Sequence, residues 1–353
     1  MQRLSNFFRP RDALSRDALP RSDQSPPALL CRPVLREEIE PSLRMILDNE
    51  SGPASDEMIL EFLALAVQRN IDVNQIWIAT IADAAAPAGT ILWALLPVVS
   101  PGRTMLLLTP SQLPGAILDQ PPQMVIGMLC DAVCQHWGAR GVHLAQLLLD
   151  PQHTQLRDVY VACGFDVLAD LLYLSRRPAE SSPPPPISLP QEMELLNYSP
   201  ARHGLFVSAI AGSYQQSLDC PGLNGRRDIE DVLAGHQATG QFDPSLWYVL
   251  TERGEPRGVL ILSPTPYSDS LELVYLGLTP EARGRGLGAM LLELALWQVR
   301  RAGKRELSLA VDSRNVPALK LYYRHGLKRI ASRTALIRDM RTQRTEPAVS
   351  AAV

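Results

Sequence analysis

Residues 143–177 and 305–339 of this 353-residue chain are alike, and the likeness limits what it can fold into. At a constant offset of 162, Gly141 falls on Gly303, Asp150 on Asp312, Tyr160 on Tyr322 and Gly164 on Gly326. Farther upstream the offset is 170, which sets Trp77 on Trp247 and Thr109-Pro110 on Thr279-Pro280. The change of offset lies between Pro110 and the helix that follows. A repeat of about one domain length implies two copies of one fold.

Between the copies runs RRPAESSPPPPISLPQ, whose four consecutive prolines favour an extended spacer. The expected organisation is a disordered tail (1–30), a first domain (31–177), a Pro-rich linker (178–191), a second domain (192–340) and a tail (341–353). In the first copy DEMILEFLALAVQR (56–69) predicts an amphipathic helix with Ile59, Phe62, Leu63 and Val67 on one side. QIWIATIAD, TILWALLPVV and RTMLLLTP predict three strands in succession, then come a helix over 123–137 and the strand HLAQLLL. The second copy repeats this with a strand at 193–197, a helix near 203–217, the strands SLWYVLTE, GVLILSP and LELVYLGL, a helix, and ELSLAV. The order β-α-β-β-β-α-β-α-β implies an α/β fold of α+β character, a mixed sheet with helices on its faces.

Composition narrows the functional classes. A net charge of −3 gives no basic footprint for nucleic acid. No apolar run is long enough to span a bilayer. The N-terminal segment lacks the apolar core of a signal peptide, so a cytoplasmic location is expected. Five scattered cysteines do not form a disulfide set. Cys130 and Cys134, one helical turn apart, read as buried small residues and not as half a metal site, and no metal is expected.

The chemistry concentrates in LELVYLGLTPEARGRGLGAMLL, residues 271–292. Leu271, Leu273 and Tyr275 alternate with Glu272, Val274 and Leu276 as in a strand. Thr279-Pro280 ends it, Arg283-Gly284-Arg285-Gly286-Leu287-Gly288 follows, and a helix runs on from Ala289. The first turn of a helix carries backbone N–H groups without internal partners, at the positive end of the dipole. Glycines let several such groups face one bulky anion, so a phosphate or pyrophosphate is the natural guest. Arg283 and Arg285 add positive charge.

Arg283, Gly286 and Gly288 in the spacing Arg-x-x-Gly-x-Gly, after Leu276-Gly277-Leu278, resemble the acetyl-CoA motif of the GCN5-related N-acetyltransferase (GNAT) superfamily. Asn315, Ala318, Leu321-Tyr322 and Gly326 match its second signature. The resemblance covers about residues 192–340 and implies two tandem GNAT-like domains, similar in layout to the mycothiol synthase branch, which acetylates a cysteinyl amine. In the first copy SQLPGAILDQPPQM replaces the glycine loop. Pro114, Pro121 and Pro122 have no N–H to offer, so that copy is expected to be degenerate.

The resemblance implies acetyl-CoA as co-substrate, a small-molecule primary amine as partner, and an acyltransferase reaction. Acetyl-CoA would be held by the backbone of Arg283 to Ala289 (Gly284, Arg285, Gly286, Leu287, Gly288 between them), by the edge of Leu276, Gly277 and Leu278, and by Asn315 and Ala318. Glu272 stands where family members place a general base. In an apolar strand its pKa would rise, while strand alternation alone makes it a solvent-facing carboxylate. Tyr322 matches the family's general acid, and a core tyrosine is the other reading. Tyr323 is the alternative donor, and Asn315 is also placed to cap its helix. His325 and His203 read as surface and helix-start residues. The acceptor pocket is expected around residues 204–231. Two rivals are a dinucleotide-dependent oxidoreductase, with Asp312 as ribose-binding acid, and a non-catalytic acyl-CoA-binding regulator.

Overall fold

The computed structural model describes residues 29–48, 52–83, 86–113, 120–178, 189–265 and 268–341. The two tails up to residue 28 and beyond residue 341, the four linker prolines, and Pro114 lie outside these residues. No helix among the described residues is long and apolar enough to cross a membrane.

The first half runs β1 (Leu29–Pro33), α1 (Ile39–Ile46), α2 (Asp56–Gln68), β2 (Trp77–Asp83), β3 (Ala86–Ser100), β4 (Thr104–Leu108), α3 (Pro122–Gly138), β5 (Leu144–Leu149), α4 (Thr154–Ala162) and β6 (Asp166–Arg176). The second repeats it: β7 (Met193–Asn197), α5 (His203–Ser213), α6 (Ile229–Ala238), β8 (Trp247–Glu252), β9 (Glu255–Pro264), β10 (Ser270–Leu278), α7 (Leu287–Arg301), β11 (Glu306–Asp312), α8 (Val316–Arg324) and β12 (Lys328–Asp339).

All twelve strands join in one sheet, in the order β1-β2-β3-β4-β5-β12-β6-β11-β10-β9-β8-β7. The halves exchange their last strands. β12, from the C-terminus, lies between β5 and β6 of the first half, with Thr334 opposite both Leu149 and Asp170. β6 lies between β12 and β11, with Ala310 opposite Tyr173. Two strand pairs are parallel, β4 with β5 and β10 with β11. One lies in each half, as a duplicated fold requires.

Helices cover both faces. α7 buries Leu291, Leu294, Ala295 and Val299, a stripe with helical spacing, against Leu260, Leu262, Leu271 and Leu273, and Leu287 at its start packs with Met193, Leu250 and Ala282. α5 and α6 pack Phe206, Ile210, Val232 and Leu233 on the opposite face, against Trp247, Val249, Val259 and Ile261. In the first half α3 takes the first face and α1 the second.

Three details depart from the expectations. On α2 it is Ala66, 2% exposed, that continues the buried face, while Val67 is 83% exposed. At about 100° per residue Ala66 returns to within about 20° of Ile59, and Val67 overshoots by about 80°. Trp77 joins the α3 side of its sheet but Trp247 the α5 side. The true counterpart of Trp247 is Ile76, since its carbonyl accepts from Val34 as that of Trp247 accepts from Tyr198. A slip of one residue turns a strand over. Finally, the helix expected near 203–217 stops at Ser213, and α6 follows it.

Strand exchange makes each half incomplete alone. Residues 29–178 without β12 would leave the facing edges of β5 and β6 unpaired, and such edges associate with other chains. That fragment is expected to aggregate or self-associate in size-exclusion chromatography. The full chain is expected to melt in a single calorimetric transition, and two resolved transitions would contradict the exchanged arrangement.

Candidate active site

β10 and β11 begin as a parallel pair, with Ser270, Leu271 and Glu272 opposite Glu306, Leu307 and Ser308. Beyond Glu272 the pairing stops. From there β10 is bonded only to β9, so the edge of Leu276, Gly277 and Leu278 faces a gap. A bulge between Leu273 and Tyr275 helps re-aim the strand. Leu271 and Leu273 enter the α7 core, whereas Tyr275 turns to the α5 side, so these three do not share a face.

The loop after β10 leaves a row of amides open. The Arg283 N–H donates to Pro280 O (3.2 Å) and the Ala289 N–H to Gly286 O (3.1 Å). Among the described residues, no partner is found for the N–H groups of Gly284, Arg285, Gly286, Leu287 and Gly288. Gly284 and Gly286 have φ of +73° and +78°, a left-handed backbone that suits glycine. Gly286 is the N-cap of α7, so the helix begins at Leu287, two residues before the expected start. These amides and the dipole of α7 form a cradle for an anion. In the first half Pro121 and Pro122 open α3 instead.

The two arginines of the motif are engaged by protein. Arg283 donates to Leu278 O (3.1 Å), Ser213 O (2.9 Å), Gln215 O (2.7 Å) and Gln216 O (3.3 Å). It therefore caps the C-terminal end of α5 and ties the loop to it. Arg285 pairs with Glu252 at 2.7 Å, and Glu252 also meets Arg257. Both guanidinium groups are thus taken up by protein partners, and the open backbone carries the cradle.

Glu272 is half-buried on the face that bears α5 and α6. Burial raises its pKa, and the charge of Arg69 opposes that rise. Arg69 is the C-cap of α2, in the other half of the chain. Tyr173 of β6, also from the first half, feels the charge of Glu272 after the larger effect of its own burial. The carboxylate thus stands at the seam between the halves. Arg69 and Tyr173 are the residues that sequence reasoning did not find, since only the exchanged strands bring them near position 272.

Asn315 caps α8, its Oδ1 accepting from the Ala318 N–H at 3.3 Å. Tyr322, 6% exposed, lies within the α7 core, and Tyr323 is 47% exposed. Burial, and next the charge of Asp219, raise the pKa of Tyr322, which keeps the phenol protonated. No hydrogen bond to its hydroxyl is found among the described residues. Its counterpart Tyr160 differs: its hydroxyl accepts from Trp93 Nε1 (3.3 Å) and meets Thr109 Oγ1. His325 bonds Leu321 O, and His203 bridges Tyr198 and Glu230. Asp312 is fully buried, bonded to Arg314 and to the Cys220 N–H, and so is not offered to a ribose. Cys130 and Cys134 are buried in the first half's core, and burial raises both thiol pKa values.

Comparison with known proteins agrees with this geometry. The profile of the acetyltransferase (GNAT) family matches residues 217–327. The mycothiol acetyltransferase of Thermomonospora curvata is 31% identical over 163 residues, 46% of this chain and 52% of that protein. That of Jonesia denitrificans is 39% identical over 88 residues, 24% of this chain and 28% of that one. The chain thus spans about half or less of the length of these curated relatives. Among solved structures, a GCN5-related N-acetyltransferase from Sphaerobacter thermophilus superposes with a TM-score of 0.55 at 17% identity, covering 88% of this chain and 96% of its own. The glucosamine N-acetyltransferase region of a fungal multi-domain β-N-acetylglucosaminidase gives 0.56 at 16%, covering 91% of this chain and 39% of that one. Both share the fold across nearly the whole chain. The second half thus resembles the GNAT family of acetyltransferases in sequence, and nearly the whole chain shares the fold of the two solved structures.

Proposed function

We propose that the protein moves the acetyl group of acetyl-CoA to a primary amine by direct attack, at a site in its second half. The observation that carries this is the row of five open amides, Gly284 to Gly288, beside the point where β10 and β11 part. The row fits the diphosphate of coenzyme A, and the edge of Leu276, Gly277 and Leu278, unpaired with β11, fits its amide-bearing arm as an added strand. Acetyl-CoA is a co-substrate here, and no metal is invoked.

An alkylammonium has no lone pair, so the amine must lose a proton. Glu272, with its raised pKa, accepts that proton. The amine nitrogen then bonds to the acetyl carbon, and a strand amide at the gap stabilises the oxygen as it gains charge. As the carbon–sulfur bond breaks, Tyr322 donates a proton to the thiolate, and the nitrogen gives up its second proton to restore the phenol, leaving a neutral amide and free coenzyme A. Tyr322 is preferred to Tyr323 because it is the buried member of the pair. The acceptor then approaches beside Glu272, on the face that bears α5 and α6. The curated relatives are named mycothiol acetyltransferases, which favours a mycothiol-related amine. Activity with a panel of primary amines, including cysteinyl and aminoglycoside compounds, followed by thiol release, tests the reading; binding of acetyl-CoA without turnover of any amine would favour a regulator.

Glu272→Gln is expected to lower kcat by about 10²- to 10⁴-fold while acetyl-CoA affinity in calorimetry stays unchanged. The same variant should be at least as heat-stable as the parent at pH 7. A carboxylate whose folded pKa lies above its unfolded value destabilises once ionised, and that cost disappears at low pH.

Arg69→Ala removes the cation that opposes the rise in the pKa of Glu272. The acid limb of the rate–pH profile should move to higher pH. A limb that stays in place would separate Arg69 from the base.

Tyr322→Phe should cost about 10²-fold in turnover and Tyr323→Phe little, from the usual size of general-acid effects. Steady-state assays of both variants decide, and a larger loss for Tyr323 would reverse the assignment.

A further inference from the structure

The helix α6 is held at its two ends by different halves of the chain. Its C-terminal end rests on the strands that carry the site. The His236 ring stacks on Tyr275 at 5.4 Å and 26°. Ser263, the β9 partner of Glu272, donates from its hydroxyl to Thr239 O at 2.6 Å. His236 stays uncharged at neutral pH, its pKa lowered to about 4 by burial and next by Arg227.

The N-terminal end of α6 meets the turn Ser100-Pro101-Gly102-Arg103, between β3 and β4 of the first half. Arg103 pairs with Asp231 at 3.5 Å. Gly102, at φ +86°, sits so close that an added Cβ would lie 2.1 Å from Asp231 O and 3.1 Å from Arg227 Nη2. The Arg227 guanidinium donates to Asp231 O at 3.2 Å, and a Cβ on Gly235 would lie 2.9 Å from it. The connection into α6 also touches the first half, with Gly222 against Leu168 and Arg226 bonded to Asp166 at 3.0 Å. In the first half α1 and α2 are joined by about nine residues, with no comparable crossing described.

We propose that the β3–β4 turn of the first half, with Gly102 at its tip, is a positioning element for the amine site. It fixes the start of α6, and α6 in turn sets the wall beside Glu272. The degenerate half then serves acceptor binding through a backbone abutment, without touching coenzyme A. This rests on the reading of the cleft beside Glu272 as the acceptor site.

The test uses the full chain. Gly102→Val forces a side chain into Asp231 O. Amine KM is expected to rise about tenfold, because the overpacked turn displaces the start of α6, while the Kd for acetyl-CoA stays within about twofold. Hydrogen exchange should speed up in 229–238 but not in 287–301. An unchanged amine KM with unchanged exchange in α6 would overturn the proposal, as would a parallel loss of acetyl-CoA affinity. If Gly102→Val fails to fold, the ion pair supplies a milder test. Arg103→Asp and Asp231→Arg should each raise amine KM about threefold, as expected for an exposed pair, and the double variant should restore it; no restoration overturns the proposal. Should the parent protein acetylate no amine, the functional reading fails, while exchange in α6 still reports on the abutment.

Discussion

The pairing of β12 with β5 and β6 is the constraint on which the rest of the molecule depends. It places the last strand of the chain inside the first half and makes one continuous sheet of two copies. Through that sheet β6 comes to lie beside β11, and Tyr173 comes near Glu272. A linker alone would leave the copies free to move. Backbone ladders leave no such freedom, so residues of one half can serve geometry in the other.

The site combines a backbone device with a few side chains. The open amides of Gly284 to Gly288 exist because two glycines take a left-handed backbone and because Arg283 pins the loop to the end of α5. The arginine of the motif thus works by holding the loop in shape. Burial where the strand pair opens raises the pKa of Glu272, and a cation from the other copy opposes that rise.

Much of this was legible in the chain itself. The repeat, the strand–loop–helix unit around the glycines and the loss of that loop in the first half all follow from local residue types. What escaped was either a matter of register or a matter of partners. Alternation in LELVYLGL could not reveal the bulge that turns Tyr275 to the other face. The matched tryptophans Trp77 and Trp247 hid a slip of one residue, because both positions are buried on either reading. IEDVLAGHQA carries a glycine in mid-helix and large apolar residues only in its first half, so α6 left no strong helical pattern. The exchanged strands have the same composition wherever they pair. Nothing local could therefore place Arg69 and Tyr173 beside Glu272, or show that Arg283 is occupied by carbonyls.

The exchange also governs how the chain can fold as it is made. Leu149 and its neighbour in the sheet, Thr334, are separated by most of the second half of the sequence. Contacts this distant are slow to form, because a long loop must close first. When β5 leaves the ribosome β12 has not yet been synthesised, so the N-terminal half must wait with a bare strand edge until β12 follows. Such a waiting intermediate is a natural client for chaperones. The architecture that unites the two copies therefore delays completion of both until β12 has been made.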